Sequence, residues 1–377
     1  MSSPKAPVRV FFPCTGLGRE ARGFESFTRG AADALAADDR LNITVFAGAR
    51  VPDRPYRSVP SFARTGSAAR ALGRLVGRGP YFAEQLSFFA AFVPHLIAGN
   101  PDLVYFSDVN LGNACWHWRR LSGQHFRLLY ANGGATVRPY TRSDAVQHMA
   151  TVYRDEALAR GEAADRNWVC PHGLPIDRML ATPDTAALRK ALDLPLDRQI
   201  LLTVGVVDHS TKRLDYVIRE LAALPSPRPL LVILGAWSSE TTAMLALAAE
   251  LLGANGFIWR TVSQVETGQW YAASDAFVLA SLREGFGLAY VEALAQGLPV
   301  LAHDFPVSRE LLGTFGHYGD FARPGVLSPM IAAALAEPRS ELAREARHSW
   351  AYSRYSWDAL RGPYAELLLR AATLATR

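Results

Sequence analysis

Residues 282–300 of this 377-residue chain read LREGFGLAYVEALAQGLPV. The stretch holds two carboxylates, Glu284 and Glu292, with seven residues between them and a Gly285-Phe286-Gly287 turn directly after the first. Carboxylates accept paired hydrogen bonds from vicinal hydroxyls. Glycines let the backbone approach a ligand closely, and the amides at a helix start attract an anion such as a phosphate. On one uninterrupted helix, eight positions would turn the second carboxylate about 80° from the first, so the two would not face each other. With Glu284 in a loop and Glu292 about a turn into the helix, they suit two different parts of one extended ligand. Two glutamates at this spacing also arise by chance. Phe286 reads as a core residue and Leu288 as one that packs inward.

The elements around this stretch support the chemistry. DAFVLAS (275–281) reads as a strand, LREGFG as its exit loop and LAYVEALAQ as a helix, closed by Gly297 with Pro299 beyond. Strand-like apolar runs recur at 8–13, 41–48, 101–108, 125–134 and 167–173, then again at 199–207, 229–235, 256–262, 275–281 and 298–304. They alternate with helix-like stretches such as 24–38, the rhythm of βαβ units and parallel sheets. PIDRMLATPDTAALRKALDLPLD interrupts the rhythm with Pro and Asp, and the domain boundary belongs there. The expected fold class is α/β, with one Rossmann-like domain over 1–178, a second over 179–356, and a terminal helix, 357–377, returning to the first. Two open parallel sheets imply a cleft, with ligands beyond the carboxyl ends of the strands. A ligand with a sugar at one end, a ribose at the other and phosphates between would satisfy every group of the 282–300 stretch. A nucleotide sugar is such a molecule.

The length points to two cores, and 49% hydrophobic with 20% charged residues fits a folded protein. No run of about 18 uninterrupted apolar residues suggests a spanning helix. The opening MSSPKAPVRVFFPCTG lacks the apolar core of a secretory signal, so a cytoplasmic location is expected. Cys14, Cys115 and Cys170 are too few and scattered for a disulfide framework or a zinc site, and read as reduced, buried thiols. The alternative, a nucleophilic Cys14, has no base nearby in sequence. The nine histidines show no close metal spacing, so no metal site is expected.

Charge is uneven. Residues 1–180 hold 22 basic and 15 acidic side chains, and 181–377 hold 18 and 20. Arg50, Arg54, Arg57, Arg64, Arg70, Arg74 and Arg78 are opposed between 50 and 83 by Asp53 alone. An anionic partner for the first half follows.

From Glu284 to Val300 the chain resembles the retaining glycosyltransferases of the GT-B fold, glycosyltransferase family 4. The shared pattern is Glu, Gly, Phe, Gly, Leu, three residues, Glu, Ala, Leu, Ala, one residue, Gly, one residue, Pro, Val. TVGVVDHSTKRLDYVIREL is similar to the family's strand and basic loop, QWYAASDAFVLAS to the helix and strand before the motif, and RYSWDALRGPYAELL to its tail helix. The amino-terminal half matches only loosely.

The resemblance implies that Glu284 binds hydroxyls of the transferred sugar and Glu292 those of the ribose. The loop and helix start, Gly285, Phe286, Gly287 and Leu288, would serve the sugar and diphosphate through their backbone. Gly205 and Lys212 match the family's basic loop, but Val206 stands where an Arg is usual, so Lys212 or Arg213 would neutralise the diphosphate. Solvated side chains at a helix start remain the alternative for both. Arg260 and Trp259, at a strand end, would touch the base or simply pack. CTGLGRE is similar to the loop that lets acceptor and donor approach, which makes Gly16 and Gly18 candidates; a plain turn reads equally well. Asn132 stands where many members carry a histidine. His172 matches a position in the connecting turn and reads as structural, and Glu310 matches an acid after a glycine-rich run that His303 and Asp304 partly replace.

The implied reaction moves a hexose from a nucleoside-diphosphate sugar, UDP- or GDP-linked, to an acceptor hydroxyl with retention, without a metal or other cofactor. The acceptor would be a glycan, a lipid-linked molecule or a small molecule. Arg70, Arg74 and Arg78, at four-residue spacing, would line one helical face, which suits a peripheral contact with an anionic membrane at its inner face or, equally, solvent. An epimerase or hydrolase on the same fold stays open. A nucleic-acid or other anion binder is weaker, because no interleaved basic and aromatic module is visible. A nicotinamide-dependent dehydrogenase is weaker still without a GxGxxG after a strand.

Overall fold

The computed structural model describes residues 6–376 except 21–22, 53, 135–139, 183 and 339, and at Gln264 the backbone alone. Asp53 and the end of the YANGGAT stretch, Ala135 and Thr136, lie outside the described residues. The chain divides into two compact units, Met1–Pro175 with Trp357–Arg377, and Ile176–Ser356.

The first unit is a parallel sheet of seven strands: β1 (Val8–Cys14), β2 (Leu41–Ala47), β3 (Arg57–Ser58), β4 (Leu103–Phe106), β5 (Arg127–Asn132), β6 (Ala145–His148) and β7 (Asn167–Val169). Their spatial order is β3-β2-β1-β4-β5-β6-β7. Because both faces are covered, these strands are nearly continuous apolar runs rather than alternating ones. Side chains still alternate between two cores. Phe12 and Tyr105 join Phe27, Tyr364 and Leu368 on one face, and Phe11 and Phe46 join Phe88 and Phe92 on the other. The terminal helix Trp357–Ala372 closes the first face, its Trp357 ring 5.7 Å from Phe27. Gly30 and Gly173 make room for that indole, since a Cβ at either would lie under 3 Å from it.

The second unit holds β8 (Ile200–Val204), β9 (Leu230–Leu234), β10 (Phe257–Arg260), β11 (Ala276–Leu279), β12 (Val300–His303) and β13 (Gly316–Gly319). This sheet is also parallel, in the order β10-β9-β8-β11-β12-β13. Each sheet therefore has one switch point where the winding reverses, between β1 and β4 in the first and between β8 and β11 in the second.

All ten expected strands are present, and three more appear. β6 escapes an apolar-run search because half of it is polar: Gln147 and His148 are fully buried, paid for by hydrogen bonds from Tyr105 to Gln147 (2.7 Å) and between His148 and Asn167 (2.9 Å). β13 is a short edge strand with glycine at both ends, and β3 is a two-residue exposed edge.

The arginine face needs correcting. Arg70 and Arg74 lie on the helix Ser67–Leu75, but Arg78 does not. Gly77, at φ +64, reverses the chain, and Gly77 N donates to Arg74 O while Arg78 N donates to Gly73 O, a Schellman closure that only a residue tolerant of the left-handed region accepts readily. Leu75 and Val76 are left exposed beside Arg74. Among the described residues, only the following helix, Pro80–Gly99, has the length and apolarity to cross a bilayer. Its Phe88, Phe92 and Leu96 are instead fully buried against the first sheet, with the Phe92 ring 4.8 Å from Phe46.

Candidate functional site

The loops leaving β8 and β11 meet at the second sheet's switch point. After β8, Gly205 (φ +157) packs backbone to backbone on Gly235, where a Cβ would fall 1.7 Å from the Gly205 carbonyl oxygen. Asp208 then folds the loop back by accepting from Thr211 N (3.1 Å), Thr211 Oγ1 (2.6 Å) and Lys212 N (2.7 Å). That turn lays the Lys212 side chain along Gly205, whose virtual Cβ lies 3.1–3.3 Å from its methylenes. Lys212 Nζ reaches Glu284 Oε1 at 2.6 Å, joining the two loops. Neither group is deeply buried, so the pair contributes only about 0–1 kcal/mol to stability.

The chain passes from Glu284 into the helix Leu288–Ala295 through Gly287 at φ +90. A Cβ there would lie 2.6 Å from the Tyr290 ring, which is buried edge-on to Phe277 and donates to Leu279 O at 3.2 Å. Gly287 supplies no side-chain cap, so the helix start offers backbone N–H groups and the positive end of its dipole. Phe286 is buried edge-on to Tyr355, as a core residue should be. Leu288, expected to pack inward, is only half-buried, because its place at the helix start lies beside the open loop. The other end closes at Gly297 (φ +76), with Gly297 N donating to Leu294 O and Leu298 N to Ala293 O.

Glu292 stands apart from Glu284. Its Oε2 accepts from the Tyr271 hydroxyl at 3.0 Å. Burial raises its carboxyl pKa, and the hydrogen bond from Tyr271 offsets part of that rise. Sequence reasoning missed Tyr271 and Asp208, which act on the named residues from another helix and from a turn. Tyr271 does lie in the QWYAASD stretch singled out above.

Arg213, at φ +51, donates from Nη1 to Phe321 O at 2.5 Å and lies 4.7 Å from the Tyr216 ring, which ties it to the loop after β13. Arg260 is exposed at the end of β10. Trp259 donates to Gly235 O (3.2 Å) and packs 5.7 Å from Trp237, an exposed indole absent from the sequence reading. His303 accepts from Phe321 N, and Glu310 accepts from Tyr355 through its backbone carbonyl.

In the first unit, Gly18 (φ +87) sits where a Cβ would press on Ala49 O at 2.7 Å, and a Cβ on Gly16 would lie 2.0 Å from Glu25 Oε1. Both glycines thus serve close packing of the loop after β1. Asn132 is buried, with Nδ2 donating to Tyr140 Oη (3.0 Å) and to His148 Nδ1 (3.2 Å), so its amide is committed to the core. His172 packs on Phe27, and burial pushes its pKa down to about 3. Burial pushes the Cys14 thiol well up and Cys115 and Cys170 up to about 12, so none is a ready nucleophile. Among the described residues no three His, Cys, Asp or Glu side chains converge as metal ligands would.

Comparison with known proteins follows the same division. Residues 184–357 match the family described as glycosyl transferases group 1. The D-inositol 3-phosphate glycosyltransferase of Xylanimonas cellulosilytica is 32% identical over 212 residues, 52% of this chain and 50% of that protein. The lipopolysaccharide core biosynthesis mannosyltransferase LpsB of Rhizobium meliloti is 30% identical over 39% of this chain and 43% of its own. The chain spans about half the length of curated relatives it matches. Among solved structures, sucrose-phosphate synthase from Thermosynechococcus elongatus aligns with a TM-score of 0.76 over 96% of this chain and 98% of that one, at 19% identity. Anabaena Alr3699/HepE, solved in complex with UDP and glucose, aligns at 0.71 with 17% identity over 96% and 99%. At such identities these two speak for the fold alone. With two parallel Rossmann-like sheets, the chain shares the fold of these glycosyltransferases, and over residues 184–357, almost all of them in the second unit, it is similar to the glycosyl transferases group 1 family.

Proposed function

We propose that this chain transfers a hexose from a nucleoside-diphosphate sugar to an acceptor hydroxyl with retention of anomeric configuration. The observation that carries the reading is the Lys212–Glu284 pair at 2.6 Å across the second sheet's switch point, beside an uncapped helix start. Glu284 takes hydroxyls of the transferred sugar. The diphosphate lies on the backbone N–H groups of Phe286, Gly287 and Leu288, where Lys212 leaves Glu284 to meet it. Glu292 takes the ribose hydroxyls, with Tyr271 holding its other oxygen in place.

In the reaction, the bond between the anomeric carbon and the diphosphate oxygen breaks, and a bond from that carbon to the acceptor oxygen forms on the same face. The acceptor proton passes to the departing diphosphate. Lys212 and the helix start supply the charge that stabilises the leaving group, which is the work a metal ion does in other transferases. Relatives described as glycosyltransferases acting on D-inositol 3-phosphate and on lipopolysaccharide core support the reaction class. The cytoplasm, with a peripheral contact at an anionic membrane through Arg70 and Arg74, is the proposed location.

A thermal-shift panel of UDP, GDP and ADP tests the donor assignment. One diphosphate should stabilise the protein clearly more than the others; a flat response to all three would sink the reading. The anomeric configuration of the product, read by NMR, tests retention.

A further inference from the structure

The first sheet also has a switch point, with its own set of polar groups. Thr15 follows β1 and Asp108 lies two residues beyond β4, the two strands between which the winding reverses. Asp108 Oδ2 accepts from Thr15 Oγ1 (2.6 Å) and Thr15 N (3.3 Å), and its Oδ1 accepts from the Tyr81 hydroxyl.

Asp108 is the N-cap residue of the helix Val109–Ser122, where an aspartate normally accepts from the first-turn amides of its own helix. Here it makes no such bond. Gln85 of the Pro80–Gly99 helix does it instead, its Oε1 accepting from Asn110 N (3.0 Å) and Leu111 N (3.2 Å). The substitution releases the Asp108 carboxylate toward the switch point. Gln85 is 1% exposed, and its Nε2, on the same amide at the helix head, has no hydrogen-bond partner among the described residues. Such a buried donor costs about 1–3 kcal/mol unless a water or a ligand atom meets it. Tyr81, whose hydroxyl covers Asp108 Oδ1, is by contrast 43% exposed as a residue. The nearby guanidinium of Arg64, 4.4 Å from the Tyr81 ring, is bound to Glu84 at 2.7 Å. The carboxylate therefore accepts from neutral hydroxyls rather than from a cation.

We infer that Asp108 is the acceptor-binding carboxylate of the first unit, taking a hydroxyl of a polyol or sugar in place of the Tyr81 hydroxyl. The inference rests on the transferase reading for the word acceptor, but not for the binding itself. A hydroxyl arriving at Oδ1 has the same donor chemistry as the phenol it replaces. The chemical class is a neutral polyol, recognised through adjacent hydroxyls.

The test measures binding of myo-inositol, D-glucose and D-mannose to the full chain by ligand-observed NMR, in wild type, Asp108→Asn and Tyr81→Phe. UDP-induced thermal shift serves as an independent control. At least one polyol should bind wild type, bind D108N at least tenfold more weakly, and bind Y81F as well or better, because the competing phenol hydroxyl is gone. Binding to D108N within twofold of wild type, weaker binding to Y81F, or no polyol binding while UDP still stabilises, would each overturn the assignment. Polyol binding without any UDP response would count against the donor reading and leave this one standing.

Discussion

The two sheets share one strand order around their switch points and place different groups there. In each, a residue after the first central strand meets a carboxylate after the second: Thr15 with Asp108 in the first unit, Lys212 with Glu284 in the second. The first pair joins a hydroxyl to a carboxylate, and the second joins an ammonium to one. Charge follows the same split. In the first unit Arg70 and Arg74 are exposed on the Ser67–Leu75 helix and Arg64, near the switch point, is held by Glu84, whereas the second places its cation directly at the strand ends beside a helix start. Topology chooses where a ligand sits. On the two readings proposed above, side chains at two or three loop positions choose whether that ligand is neutral or anionic.

Removing the cation from the second switch point tests the contrast most severely. Lys212→Met should lower kcat by roughly 10²–10³-fold, the scale of one lost electrostatic stabiliser in a transition state. It should also reduce the thermal shift from the preferred diphosphate while leaving polyol binding by the first unit intact. A K212M enzyme within threefold of wild type would erase the proposed difference between the two sites.

A smaller effect is expected at Glu292. Its carboxyl pKa is raised by burial in the folded state, so the unfolded chain holds the charge more readily. The folded protein is then favoured below the ordinary carboxyl pKa and loses that advantage as pH rises through the raised value. Glu292→Gln should therefore raise the melting temperature of the ligand-free protein at pH 7, with little gain at pH 4, yet diminish the diphosphate response. A variant less stable than wild type at pH 7 would show that the carboxylate is better satisfied than burial implies.

The smallest effect concerns the outer charge of the first unit. With vesicles containing anionic lipid, Arg70→Glu with Arg74→Glu should reduce sedimentation at low salt, by about 1 kcal/mol for each basic residue near the surface. Absence of wild-type binding at low salt would leave those arginines as a solvated face.

Legibility differed between the halves for physical reasons. The Glu284–Val300 stretch is readable because its constraints are local: a turn that needs glycine, a helix start, and a closure at Gly297. Ten strands were readable because burial on both faces leaves long apolar runs. β6 was not, since Gln147 and His148 are buried polar groups whose partners come from other strands and from the terminal helix. The span of Arg78 was misjudged because four-residue spacing assumes an unbroken helix, and Gly77 ends it. Lys212 and Arg213 looked equivalent in sequence, yet the left-handed backbone at Arg213 sends its guanidinium to Phe321 O.

By itself, the order of residues determined the two runs of parallel strands, the helix that begins after Gly287, and the pair of glutamates around its start, because each depends on neighbours a few positions away. Only the tertiary structure decided that Lys212 meets Glu284 across 72 residues, that Tyr271 holds Glu292, and that Gln85 takes over the cap which frees Asp108. Hydrogen bonds between loops of different strands depend on which strands lie side by side, and in a doubly wound sheet the central neighbours are far apart in the chain.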